Sequence, residues 1–211
     1  MKMTPDAHIA KVLAPYGVSA DVGLCKAIRE YISLLSRWNQ KISLTTIEET
    51  DEILRLHFGE SFFARESVPI KDGRLADVGS GAGFPGIPLA IICPALEVTL
   101  IESNTKKAAF LSEVIRSLNL SHVAVIRSRM EEIPKNLEKF DFITARAFGT
   151  PDDLLSWARL HLERSGKIIL WLGESDCRLI SGDVFWHWRD PIRIPISRSR
   201  FLLVGSPKDQ D

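Results

Sequence analysis

The residues with the clearest chemical potential lie in one run, Leu75-Ala76-Asp77-Val78-Gly79-Ser80-Gly81-Ala82-Gly83-Phe84-Pro85-Gly86. A short apolar segment ends in an acid, passes through closely spaced glycines and meets a proline at a helix start. Such a segment brings bare backbone up to a ligand at the end of a strand, and the following helix offers free N–H groups. Gly81 to Gly86 fits G-x-G-x-x-G, the dinucleotide fingerprint, a pattern of low specificity by itself.

Two details turn the loop from a dinucleotide toward S-adenosylmethionine. Asp77 stands two residues before the first glycine, where a carboxylate attracts the ammonium of a methionine moiety and repels a pyrophosphate. With Gly79 the loop reads Asp-x-Gly-x-Gly-x-Gly, the usual methyltransferase spelling, through Gly81 and Gly83. Glu102 ends the next apolar run, where an acid accepts hydrogen bonds from ribose hydroxyls of either cofactor class. Arg129-Met130-Glu131 follows a third run. A backbone N–H and a carboxylate there can bracket an adenine, or the segment is a solvated loop.

The acceptor side is read from Phe140-Asp141-Phe142-Ile143-Thr144-Ala145-Arg146-Ala147-Phe148-Gly149. It lacks the Asn/Asp-Pro-Pro-Tyr that cradles an exocyclic amine, and it lacks the cysteine that carbon-5 methylation of a pyrimidine requires. It has Arg146, which can stack on a base, hold a phosphate, contact the cofactor, or sit in a surface ion pair. An acceptor that is already nucleophilic, such as guanine N7, needs no base, so proximity and alignment carry the reaction.

These residues need a scaffold of strands with open carboxyl ends. Leu24, Ile28, Tyr31, Leu35 and Trp38 recur at helical spacing behind Ser19 as a cap, and the chain is expected to be helical from about Thr4 to Ser67. Strands are then expected at 74–78, 98–102, 123–127, 140–145 and 167–172, with helices at 85–92, 104–118 and 152–162. Two further strands, 184–188 and 200–204, follow with no long helix between them. The result is an α/β fold with a mostly parallel seven-stranded sheet and an antiparallel C-terminal end.

The chain has 211 residues, 45% hydrophobic and 26% charged, enough for one sizeable core with a small extra element. Its formal net charge is zero, so no global basic field advertises a nucleic acid, though a local patch is allowed. Cys25, Cys93 and Cys177 are too few and scattered for a disulfide framework or a zinc site, and no metal is expected. No signal-peptide pattern and no run of about 20 apolar residues is present, which points to the cytoplasm and away from a membrane.

Together these residues resemble the bacterial 16S ribosomal RNA guanine-N7 methyltransferase family, RsmG, also called glucose-inhibited division protein B. Leu34 to Thr45 is similar to the family's Leu-x-x-Trp-Asn-x-x-x-Asn-Leu-Thr, with Ser43 for the second Asn. His57 to Ser61 resembles its His-x-x-Asp-Ser, with Glu60 for Asp. Asp77 to Ala90, with Pro85 and Pro88, is the most specific part of the match. Glu102-Ser103, Lys106-Lys107, Phe110-Leu111, Arg129-x-Glu131 and Arg146-Ala147 also correspond. Leu172 and Leu56 stand where the family has basic residues.

The resemblance implies a Rossmann-like class I methyltransferase domain, about 71–211, beneath a helical N-terminal cap, about 1–70. It implies cofactor contacts at Gly79, Phe84, Met130, Glu131 and Arg146, beside Asp77, Gly81, Gly83 and Glu102 of the residue reading. Lys106, Arg129 and Arg146 would face the RNA and organise the acceptor. The partner would be 16S ribosomal RNA or the small subunit, the protein a monomer. Two rivals differ in class: an NAD(P)-dependent oxidoreductase, which would lack an evident Tyr-x-x-x-Lys, and a non-catalytic RNA-binding or assembly factor with a relic cofactor fold. Arg189, Arg193, Arg198 and Arg200 form a basic run read either as a solvated edge or as compensation for Leu172. His57 and Glu60, one helical turn apart, are expected to form a polar contact between cap and main domain.

Overall fold

The computed structural model describes residues 4–134 and 139–208. The cap opens with α1 (Asp6–Leu13) and a short 3-10 turn, then α2 (Val22–Asn39), α3 (Thr50–Glu52), a π-helical segment (Ile53–Gly59) and α4 (Glu60–Ser67). α2 starts at Asp21, not Ser19. The Asp21 carboxylate accepts the Leu24 N–H at 2.7 Å, satisfying one of the donors a helix start leaves open. Ile28, Tyr31 and Leu35 form its buried stripe.

The main unit alternates β1 (Asp72–Val78), α5 (Gly86–Ile92), β2 (Ala95–Ile101), α6 (Thr105–Ser117), β3 (Val123–Ile126), β4 (Phe140–Arg146), α7 (Pro151–His161) and β5 (Leu162–Gly173). α8 (Glu174–Ile180), β6 (Trp186–Trp188), β7 (Ile192–Arg193) and β8 (Arg200–Pro207) complete it. The strand order is β3-β2-β1-β4-β5-β8-β6, with β7 beside β8. Pairing is parallel from β3 to β5 and antiparallel where β8 joins β5 and β6.

Among the described residues the sheet has eight strands, one more than expected. The extra one, Ile192–Arg193, pairs with Leu202 and Phe201 and lies between Pro191 and Pro195, too short to leave a periodic signal. The helix α8 leaves little periodic signal, because its seven residues, about two turns, are mostly exposed.

Alternation along the strands splits the interior. Leu75 joins a core that includes Ile9, Tyr31, Phe58, Phe62 and Phe110, so the cap, α5 and α6 cover one face of the sheet. Ala76 and Val78 face the other side, with Leu154, Ala158, Leu170 and Trp186. A buried side chain such as Phe58 or Phe62 contributes about 1.5–3 kcal/mol relative to exposure. Trp186 and Trp188 stack at 5.3 Å on one strand face, as their spacing predicts. The three cysteines are buried thiols.

Chain order reverses between β1 and β4, which run side by side with Val78 opposite Ala145. Such a switch point leaves a crevice beyond the strand ends where open α/β sheets take their ligands.

Candidate active site

The glycine loop leaves β1 and doubles back. The N–H groups of Gly79 and Ser80 both donate to the Ile101 carbonyl, at 2.9 and 3.1 Å, tying the loop to the end of β2. Gly79 and Gly83 have φ values of +68° and +87°, left-handed backbone that side chains resist. They serve different ends. A Cβ on Gly83 would run into Tyr31 Oη of the cap, whereas one on Gly79 would meet nothing within 4 Å.

That open space belongs to a cavity of about 440 Å³ at the carboxyl ends of the strands. Its walls are Val78 and Gly79 at the end of β1, Ile101, Glu102 and Ser103 at the end of β2, Ser128 to Glu131 after β3, and Ala147 to Thr150 after β4, with Asp153 and Leu154 of α7. The volume lies within the range of small-molecule sites. A larger hollow, about 630 Å³, lies away from these strand ends, between the segment before α2 and the chain around Ile91 and Leu118.

Glu102 is the organising side chain. It is 7% exposed and lines the cavity. One carboxylate oxygen accepts the Gly81 N–H at 2.9 Å and the other accepts the Asn104 N–H at 2.7 Å. A carboxylate offers about four acceptor positions, so capacity remains for hydroxyl donors from a ligand. Met130 and Glu131 stand across from it in a short 3-10 turn. Arg129 lies beside them, exposed at the rim.

Asp77 is placed differently from a surface carboxylate awaiting an ammonium. It is 1% exposed and outside the cavity lining. Its carboxylate accepts the Thr144 hydroxyl at 2.8 Å and the Gly86 N–H at 3.2 Å, which clamps β1, β4 and the start of α5 together. Burial pushes its pKa from 3.8 up to about 7, against the lowering effect of these hydrogen bonds. Phe84 is also interior. It stacks on Tyr31 at 5.1 Å and on His57 at 4.5 Å. Gly81 contributes through its N–H to Glu102.

Arg146 ends β4 but its guanidinium turns to the cap, not into the cavity. Nη1 donates to the Leu56 carbonyl at 2.7 Å, and Nη2 lies 3.3 Å from Glu60 Oε2. The ion pair is buried rather than superficial, and burial lowers the Arg146 pKa. The next residue, Ala147, has φ of +52°, a strained conformation for a non-glycine residue, and it forms cavity wall. Lys106 lies exposed in the first turn of α6, outside the lining residues.

Glu60 makes polar contacts from cap to main unit, whereas the His57 ring meets the main unit by stacking on Phe84 and hydrogen-bonds within the cap. Glu60 pairs with Arg146 and with Arg200, and its carbonyl accepts the Trp171 indole N–H at 3.0 Å. His57 bonds Thr45 Oγ1 at 2.9 Å, and burial, aided by Arg146 and Arg200, drops its pKa to about 3, so it stays neutral. Among the described residues no group of acids, histidines and cysteines could hold a metal ion.

The sequence reading therefore brings Gly79, Glu102, Arg129, Met130 and Glu131 to one cavity, with Gly81 behind Glu102. The cavity also takes in Phe148 and Gly149 of the acceptor-side run, and Ser103, Ser128, Thr150, Asp153 and Leu154, which the sequence did not single out as site residues. The available signal was the position of Phe148-Gly149-Thr150 after a central strand, the usual place for ligand contacts.

A sequence profile described as "GidB: rRNA small subunit methyltransferase G" matches residues 24–181. Curated relatives of the name Ribosomal RNA small subunit methyltransferase G include one from Xylella fastidiosa, 43% identical over 68% of this chain and 66% of that protein. Another, from Stenotrophomonas maltophilia, is 41% identical over 78% of this chain and 74% of that protein. The chain thus aligns with about two thirds to three quarters of the length of these relatives. A solved SAM-dependent methyltransferase from Aquifex aeolicus shares the fold with TM-score 0.64 and 17% identity, over 74% of this chain and 93% of that one.

Proposed function

We propose that this chain, which belongs to the rRNA small subunit methyltransferase G family, transfers a methyl group from S-adenosylmethionine to N7 of a guanine in 16S ribosomal RNA. The oxidoreductase reading of the glycine pattern falls with that membership.

The observation that carries the cofactor side is Glu102. It faces the cavity between the glycine loop and Met130–Glu131, with spare acceptor capacity for ribose hydroxyls. Gly79 supports the fit, because the space its missing side chain leaves is where a ligand backs onto the loop. The Met130 N–H and the Glu131 carboxylate would bracket the adenine. When bound, the cofactor supplies an electrophilic methyl on a sulfonium.

Guanine N7 attacks with its own lone pair, so the protein needs no general base to begin. Holding two reactants in line is the main contribution left to the protein, and it can supply a large part of the barrier reduction. Arg146, Arg129 and Lys106 would organise the acceptor, the last two from exposed positions suited to phosphates. Asp77 would act through the loop it clamps.

Among the described residues no helix is long and apolar enough to cross a membrane. The proposal includes action in the cytoplasm, as a monomer, on the RNA or the small subunit. Incubating the protein with small subunits from cells lacking this gene and radiolabelled S-adenosylmethionine tests it. Label in 16S ribosomal RNA at an N7-methylguanine is the expected result, and label confined to another position or to protein would refute it.

A further inference from the structure

The buried carboxylate of Glu60 holds two guanidinium groups on one oxygen. Arg146 Nη2 lies 3.3 Å and Arg200 Nη1 lies 2.9 Å from Glu60 Oε2. Glu60 Oε1 is buried with no hydrogen-bond partner among the described residues. Three distant parts of the chain meet here: Glu60 begins α4, Arg146 ends β4 and Arg200 begins β8.

An ideal arginine–carboxylate pair is bidentate and uses both oxygens. This one is not, so Arg146 gains only part of the available stabilisation from Glu60. A buried carboxylate with a single partner would also pay heavily for lost hydration. Arg200 supplies the second positive charge, and its side chain is 41% exposed against 13% for Arg146, so the excess charge leads out to solvent. Burial raises the Glu60 pKa, and both guanidinium groups oppose that rise and favour the ionised carboxylate.

What this arrangement fixes is the end of β4. Arg146 is followed by Ala147 at a left-handed φ of +52° and by Phe148 and Gly149, all three part of the cavity wall. Anchoring the guanidinium to α4 and to the Leu56 carbonyl holds the chain where it turns into that wall. The π-helical segment that presents Leu56 is a form often found at functional sites.

We propose that Glu60 is a positioning residue for Arg146 and the β4 end in methyl transfer, and that Arg200 is the counter-ion that keeps Glu60 charged. The proposal rests on the reading of Arg146 given above.

Steady-state kinetics of Glu60→Gln, Glu60→Asp, Arg200→Ala and Arg200→Lys, beside Arg146→Ala, test it. S-adenosylhomocysteine calorimetry and melting curves accompany each variant. Glu60→Gln is expected to lower kcat about tenfold and Arg200→Ala about threefold, losses in chemistry of the size that a misplaced group causes. KM for RNA stays close to the wild-type value. Glu60→Asp and Arg200→Lys, which keep the charge, recover most of the loss, a pattern a purely structural role would not produce. Wild-type kcat in Glu60→Gln and Arg200→Ala, with Arg146→Ala inactive, overturns the positioning role alone. Losses that follow the melting temperature and are not recovered by the charged replacements overturn it too. Full activity of Arg146→Ala overturns the assignment of Arg146 and the proposal together. Should Glu60→Gln not fold, the two variants at the half-buried Arg200 decide the matter.

Discussion

Tyr31 and Ala82, distant in the chain, are joined by a 2.5 Å hydrogen bond from the phenol to the backbone carbonyl. The cap thereby grips the glycine loop from behind. Tyr31 also stacks on Phe84 at 5.1 Å and meets Phe58 edge-on, so one side chain links α2, the π-helical segment and the loop.

Tyr31→Phe keeps the ring and removes only the donor. It is expected to cost about 1–3 kcal/mol, since the Ala82 carbonyl loses its buried partner. Because the loop faces the cavity, S-adenosylhomocysteine affinity should fall as well. Chemical denaturation and calorimetry check the two effects; unchanged affinity would uncouple the cap from the loop.

Glu102→Ala is expected to weaken S-adenosylhomocysteine binding by about ten- to a hundredfold, the value of hydrogen bonds to a charged group. The two N–H groups it satisfies, of Gly81 and Asn104, would also lose their acceptor, so some melting temperature is lost too. Wild-type affinity by calorimetry would remove Glu102 from the cofactor site.

Gly79→Ala should fold, since nothing lies within 4 Å of the new methyl group. It forces an alanine to φ +68°, a conformation costing about 1–2 kcal/mol. The methyl group enters the cavity, so the loss of cofactor affinity should exceed the loss of stability. Equal losses in calorimetry and thermal melting would argue that the residue shapes the loop without meeting a ligand.

Asp77 gives a pH signature. Its folded pKa, about 7, is above the ordinary 3.8, so the folded state keeps the proton longer than the unfolded state does. The stability this group contributes is complete below about pH 4 and is lost as pH rises through about 7. Asp77→Asn, which cannot ionise, should flatten the fall in melting temperature between those limits. An identical slope in the variant would mean that another group sets it.

The parts of the site that sequence revealed are those held by local chain geometry. Glycines at Gly79, Gly81 and Gly83 announce a turn whatever surrounds them, and Glu102 and Met130–Glu131 follow apolar runs that could only be strands. The parts it hid depend on partners far along the chain. That Asp77 also accepts the Thr144 hydroxyl from the neighbouring strand is invisible in its own segment. Nothing local to Arg146 announces that its guanidinium is anchored by Glu60 of α4, which in turn pairs with Arg200 of β8. Phe84 follows the same rule, because its partners Tyr31 and His57 come from the cap. In the fold, the short strand β7 exists only as a companion to β8, and no periodicity in Ile192–Arg193 records it.

The central claim is the acceptor atom, and mapping 16S ribosomal RNA from cells with and without this gene tests it most directly. The account predicts one N7-methylguanosine that is present with the gene, absent without it, and restored by the wild-type protein but not by Arg146→Ala. An unchanged N7-methylguanosine profile in cells lacking the gene would contradict it.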